Sequence, residues 1–253
     1  MTPNADDAPV LRLRGVNKRF GGVIAANDVD LDLPKGLVTA LVGPNGAGKT
    51  TLFNLITGNL RPDTGHIELH GRSLAGVDPR RASRLGIARS FQHLRLFEQM
   101  TVLENVLTVM ERTAWPWQPG GGEASRARRE AANATLARVG LSNLRDVRAI
   151  DLGYAQQKFL SLARILVSEA TLWLLDEPAS GLDPASYERF VRLVREPLKT
   201  GVTICLIEHN LDIVQGISDR IAFLDQGTVL ASGEPRAILD DPKLAAIYFG
   251  DRR

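Results

Sequence analysis

The chain holds one cysteine in 253 residues and almost no net charge, +2 from 31 basic and 29 acidic side chains. It also lacks any apolar run near the ~18–20 residues needed to cross a bilayer. Each absence removes a class of protein. One thiol cannot build a disulfide framework within a monomer, which agrees with a reducing compartment. Cys205 sits in the apolar run Val202-Thr203-Ile204-Cys205-Leu206-Ile207, so it reads as a small buried hydrophobe rather than a reactive thiol. The near-zero charge gives no general case for nucleic-acid binding. The first ten residues include Asp6, Asp7 and two prolines, without the charged-then-apolar order of a secretory signal. The expectation is a protein that starts and stays in the cytosol and docks on a membrane only through a partner. No internal repeat is visible. Hydrophobic content of 44% and charged content of 24% are ordinary for a globular chain, of a length that suits one large domain or two small ones.

What is present begins with Gly43-Pro44-Asn45-Gly46-Ala47-Gly48-Lys49-Thr50, a full match to G-x-x-x-x-G-K-[ST]. Glycines let the backbone wrap closely around phosphates and visit conformations closed to residues with a Cβ. The turned backbone aims N–H groups at the phosphate oxygens. Lys49 adds a charge at the β- and γ-phosphates, and the Thr50 hydroxyl can ligate Mg²⁺. The apolar run 37–42 before it reads as a buried strand, and the segment from Thr51 to Thr57 reads as a helix stopped by Gly58. Strand, loop and helix come in the order a phosphate site needs, with the helix dipole favouring the anion.

The rest reads as an α/β chain. Residues 10–14 alternate as a strand at a sheet edge, Phe20-Gly21-Gly22 is a turn, and 29–33 alternate again, suggesting a small antiparallel sheet ahead of the phosphate loop. A short strand follows at 66–69, where His66 and His70 face solvent with too few other ligands for a metal site. From about Pro79 to Ala149 the character becomes helical, with Arg80, Arg81, Arg84 and Arg89 as a solvated helix face. Thr101 and Glu104 are spaced as a capping box before a helix over 102–110. The stretch 115–122, with Trp115 and Trp117, cannot continue a helix and is expected to be a loop; a helix resumes at 123–139. Leu172-Trp173-Leu174-Leu175-Asp176-Glu177 is an apolar strand closed by two carboxylates. A helix over 184–198, a strand over 202–207 and a terminal hairpin at 221–231 complete a mainly parallel sheet, whose carboxyl ends should converge on the phosphate loop. Asp176 is positioned to orient Mg²⁺ or its waters, and Glu177 to accept a proton from an attacking water.

In this order the motifs resemble those of the ATP-binding-cassette ATPases over essentially the whole chain. The resemblance implies a P-loop NTPase (RecA-like) fold with an antiparallel N-terminal β subdomain and a helical subdomain inserted at about 93–160, all within one domain over 1–253. It also implies roles. Phe20 falls where the family stacks an aromatic on adenine. Residues 43–50, with Thr51 beside them, cradle the phosphates, and Gln92 senses Mg²⁺ and the attacking water. Asp176 and Glu177 are the Walker-B acid and the catalytic base. Ser180-Gly181-Leu182-Asp183 crosses a dimer interface, and His209 is the switch histidine on the γ-phosphate. Leu152-Gly153-Tyr154-Ala155-Gln156-Gln157 falls at the signature that closes on a partner's ATP. It departs from the common Leu-Ser-Gly-Gly-Gln: Gly153 has no hydroxyl to offer, and Ala155 adds a methyl where backbone should approach. A weakened composite site is expected wherever this chain donates the signature.

Further marks, Arg89-Ser90-Phe91-Gln92-His93-Leu94-Arg95-Leu96-Phe97 and Met100-Thr101-Val102-Leu103-Glu104-Asn105-Val106, are similar to the ATPase subunits of branched-chain amino-acid importers; urea and short-amide importers share that architecture. The resemblance implies ATP and Mg²⁺ as ligands, multi-span permease subunits and a second cassette ATPase as direct partners, and an external binding protein as an indirect one. Leu94, Leu96 and Phe97 are expected in the groove that receives a permease helix, with ordinary core packing as the alternative. A soluble cassette protein acting on nucleic acid or ribosomes, or a regulatory subunit with poor turnover, remain as other classes. The first lacks the basic extensions it would need, and the second sits poorly with intact Glu177 and His209.

Overall fold

The apolar runs around the phosphate loop form three fully buried five-residue strands, β3 (Val38–Val42), β7 (Leu172–Asp176) and β8 (Thr203–Ile207). The computed structural model describes residues 8–92, 94–110 and 121–249. With β6 (Ile87–Arg89), β9 (Arg220–Asp225) and β10 (Thr228–Gly233), these strands make a six-stranded sheet in the order β10-β9-β3-β8-β7-β6. All its pairings are parallel except β10 on β9. A strand buried on both faces needs no polar alternation, and the period of two decides which core each residue joins. Val38, Ala40, Val42, Trp173, Leu175, Ile204 and Leu206 pack on one face, with α5 (Tyr154–Leu166), α6 (Pro184–Arg195) and α7 (Leu211–Ile217). Leu41, Leu172, Leu174, Cys205 and Ile207 face the other core, with α1 (Lys49–Ile56) and the second sheet. Cys205 is buried there as expected, its thiol pushed up to about 12 by desolvation.

The second sheet is four-stranded and antiparallel, in the order β2-β1-β4-β5, built from β1 (Leu11–Phe20), β2 (Val23–Leu33), β4 (Thr64–Leu69) and β5 (Arg72–Ser73). Here β1 is not the edge strand that its N-terminal alternation suggested. It pairs with β2 on one side and β4 on the other, and it continues through Gly15 to Phe20. His66 and His70 are exposed as expected, with His70 Nε2 3.0 Å from Thr171 Oγ1.

Two segments differ from the sequence reading of 79–149. α2 (Pro79–Arg84) is helical, capped by Asp78, but 87–89 form β6, the sheet's edge. A three-residue strand is too short to show a period. Arg89 therefore leaves the solvated helix face assigned to it and is buried, its side chain only 7% exposed. The Thr101–Glu104 capping box is present: Thr101 N donates to Glu104 Oε2 at 2.7 Å and Glu104 N to Thr101 Oγ1 at 3.2 Å. It opens α3 (Val102–Met110), which packs with α4 (Gly121–Val139) and α5 as a helical layer. Gly121 and Gly122 thus belong to α4 rather than to a loop, while 115–120 lie outside the described residues. The hairpin β9–β10 is followed by α8 (Pro235–Leu239) and α9 (Pro242–Phe249), two short helices that sequence periodicity did not reveal. Among the described residues, no helix is long and apolar enough to cross a membrane.

Candidate functional site

Four adjacent parallel strands, β3, β8, β7 and β6, end at one rim of the sheet, and each delivers a functional side chain there. This is where ligands bind in open α/β sheets. After β3 the loop 43–48 turns into α1. Backbone proximity dictates its glycines: a Cβ on Gly43 would lie 1.9 Å from Leu224 O, and one on Gly48, at φ +103°, would lie 2.3 Å from Ala25 O. The loop is thereby seated against both sheets, and Asn27 N and Gly227 N add hydrogen bonds to Gly227 O and Ala47 O, both 2.9 Å. Lys49 at the head of α1 is buried, and its Nζ donates to Gly43 O at 2.6 Å and Pro44 O at 2.8 Å. Burial pulls its pKa down, against the attraction of Glu177 and Asp176.

At the end of β7, Asp176 is buried, and its backbone N–H donates to Ser90 Oγ at 2.9 Å. Desolvation raises its pKa, with Arg89 opposing. Arg89 reaches in from β6, its Nη2 3.9 Å from Asp176 Oδ2, and its Nη1 donates to Asn54 Oδ1 at 2.7 Å on α1. Glu177 follows at φ +46°, a region that costs energy for a residue with a Cβ. Its carboxylate is bracketed: Gln92 Nε2 donates to Oε2 at 3.2 Å, and His209 Nε2 lies 3.1 Å from Oε1. His209 stands just beyond β8, and the Tyr248 hydroxyl of α9 donates to its carbonyl. A cavity of ≈ 390 Å³ is lined by Asn45, Gly46, Ala47, Gly48, Lys49, Thr50, Thr51, Gln92, Asp176, Glu177 and His209, together with Val23 and Ala25. It offers the Lys49 ammonium and the N–H groups of the loop together with two carboxylates, an amide and an imidazole.

Mg²⁺ fits this donor set. Among the described residues no cluster of three His, Cys, Asp or Glu exists to hold a metal alone. A hard cation here would take the Thr50 hydroxyl, the Gln92 amide oxygen and the Asp176 carboxylate along with phosphate oxygens.

Other expected site residues lie away from this cavity. Phe20 ends β1, 45% exposed, beside its register partner Val23, which does line it. Gly153 precedes α5 in an extended conformation, and its N–H donates to Gln156 Oε1 at 2.9 Å. Tyr154 is exposed, its hydroxyl 3.5 Å from Ser180 O. Ala155 follows in the first turn of α5. Asp183 caps α6, its Oδ1 accepting from Ala185 N and Ser186 N at 3.1 Å. Sequence reasoning misplaced Arg89 and gave no role to Lys158, Glu208 or Tyr248, because their partners are distant in the chain. For the three charged residues the one available signal was that a charge sat inside or directly beside an apolar run.

This phosphate loop, with carboxylates at the ends of neighbouring strands, defines a nucleotide-hydrolysing cassette, and residues 26–180 match the ABC transporter family. The chain belongs to that family and is one of its ATPase cassettes. It is 39% identical to the high-affinity branched-chain amino acid transport ATP-binding protein LivG of Escherichia coli K12, over 96% of this chain and 98% of that protein. It is 36% identical, with the same coverage, to BraF of Pseudomonas aeruginosa, which carries the same description. Among solved structures, the ADP conformation of the ATP-binding cassette MJ1267 superposes with a TM-score of 0.84 at 32% identity, covering 96% of this chain and 99% of that one.

Proposed function

We propose that this chain is the ATP-hydrolysing subunit of an importer for branched-chain or other hydrophobic amino acids, held on the cytoplasmic face of the membrane by multi-span permease subunits. The bracketing of Glu177 by Gln92 and His209 at the mouth of the phosphate-loop cavity carries the ATPase part. The end-to-end similarity to LivG and BraF supports the cargo. Lys49 and the N–H groups of 43–50 would hold the phosphates, and Thr50, Gln92 and Asp176 would hold Mg²⁺, which supplies charge neutralisation when bound. Glu177 orients a water and takes its proton, and Gln92 and His209 fix the carboxylate that does so. Phe20 and Val23 would form the adenine platform.

Gly153, Tyr154, Ala155, Gln156 and Asp183 would serve the nucleotide of a second cassette, which is why they stand outside this chain's own cavity. A second cavity, ≈ 360 Å³, is lined by Phe91, Leu94, Arg95 and Arg164 among others. It is the proposed seat of a permease helix. Of the three side chains expected there, Leu94 lines it, Leu96 packs against the helical core, and Phe97 is exposed.

The test is co-purification from membranes in mild detergent at low expression. A multi-span permease pair with a second cassette is the expected catch. Recovery only from the soluble fraction with nucleic acid or ribosomal proteins would discard the transporter and leave the ATPase.

A further inference from the structure

Lys158 is a buried charge without a part in the chemistry above. It lies on α5, just past the signature residues, and is 7% exposed. Its ammonium donates to Glu177 O at 2.7 Å and Pro178 O at 3.3 Å. Glu208, 2% exposed at the end of β8, takes the next residue, with Oε1 accepting from Ala179 N at 3.0 Å. Tyr154, four residues before Lys158 on the same helix face, has its ring centroid 5.3 Å from the Lys158 Nζ and its hydroxyl near Ser180 O. Gly181 packs so closely on that ring that a Cβ there would lie 2.9 Å from Tyr154 Cε1. Residues 177–181 are therefore gripped by one turn of α5 and by the end of β8. Burying an ammonium is costly unless its hydrogen bonds are made, and an apolar side chain often fills such a space with no loss of stability. What the charge adds is a direction for the Glu177 carbonyl, at a residue whose φ is +46°.

We infer that Lys158 is a positioning residue: it sets the backbone of Glu177, and so ties the helix that carries the signature residues to this chain's own hydrolytic carboxylate. A shift of α5 as its N-terminal turn meets a partner's nucleotide would then move Glu177 in the other composite site. The inference rests on the reading of Glu177 as base and of 152–157 as signature, and the experiment separates the two.

The full-length chain in its purified complex is compared with Lys158→Met, Lys158→Gln, Lys158→Arg and Glu177→Gln, reading kcat and KM for MgATP together with the thermal midpoint. Misplacing the base without touching the phosphate loop should lower kcat about tenfold or more in Lys158→Met. KM should stay within about twofold, with Lys158→Arg regaining most of the turnover. Should Lys158→Met not fold, Lys158→Gln carries the same comparison. Turnover kept in Lys158→Met or Lys158→Gln while Glu177→Gln is inactive overturns the inference alone. So does a loss that Lys158→Arg shares in full. Full turnover in Glu177→Gln overturns the site reading, and the inference with it.

Discussion

At the residue scale, two neighbours, Gln92 and His209, fix the Glu177 carboxylate. Glu177→Gln keeps the shape and removes the proposed base. Turnover should fall by about 10²–10⁴-fold while MgATP affinity, set by the loop and Lys49, stays near wild type in a fluorescent-nucleotide titration. At the signature, Gly153 has φ −65° and ψ 157°, and a Cβ there would meet only Gln156 Oε1 at 3.6 Å. Serine is therefore accommodated, and Gly153→Ser with Ala155→Gly should raise turnover of the assembled complex. One restored charge-assisted hydrogen bond is worth roughly 1.5–3 kcal/mol, and unchanged turnover would remove the idea of a weakened site. Glu208 gives a pH dependence. Burial lifts its carboxyl from 4.5 to about 6, against Ala179 N and Lys158. A group that binds its proton more tightly when folded stabilises the fold below its unfolded pKa, and that stability is lost as pH rises through the folded value. The window runs from about 4.5 to 6. Relative to Glu208→Gln, the wild type should lose about 2 kcal/mol across it in urea unfolding.

At the element scale, β6 is a three-residue edge strand tied inward by Arg89, which bonds Asn54 of α1 and Thr57 at that helix's C-terminal cap and faces Asp176 on β7. Arg89→Met fills much of the same volume but strips Asp176 of its ion-pair partner. Breaking a buried pair this way costs about 3–5 kcal/mol. The contact is loose at 3.9 Å, so the lower end is expected in denaturant unfolding. None of this was visible along the chain. Arg89 lies nine residues after Arg80, and spacing alone grouped it with the exposed arginines of α2. Asp176, by contrast, announced itself by closing a five-residue apolar strand. β1 was half legible: its first residues alternate, but its central place in the sheet depends on β4, more than forty residues later.

At the scale of the whole molecule, the two sheets meet at the phosphate loop, where Gly48 passes Ala25 of β2 with no room for a side chain. Gly48→Ala would push the loop from the antiparallel sheet and force a left-handed φ on a residue with a Cβ, at about 1–3 kcal/mol for the backbone alone. Nucleotide affinity should fall more than the thermal midpoint does, as read by titration and calorimetry on the same sample. The sequence by itself determined the buried parallel strands, the loop between strand and helix, and the order of the site residues, because apolar period, glycine and charge are local properties. Only the tertiary structure decided that Gln92 and His209 bracket Glu177, that Arg89 faces inward, and that Lys158 and Glu208 hold the turn after β7. Those contacts join β6, β7, β8 and α5, and a hydrogen bond between segments many tens of residues apart leaves no periodic trace in the chain that makes it.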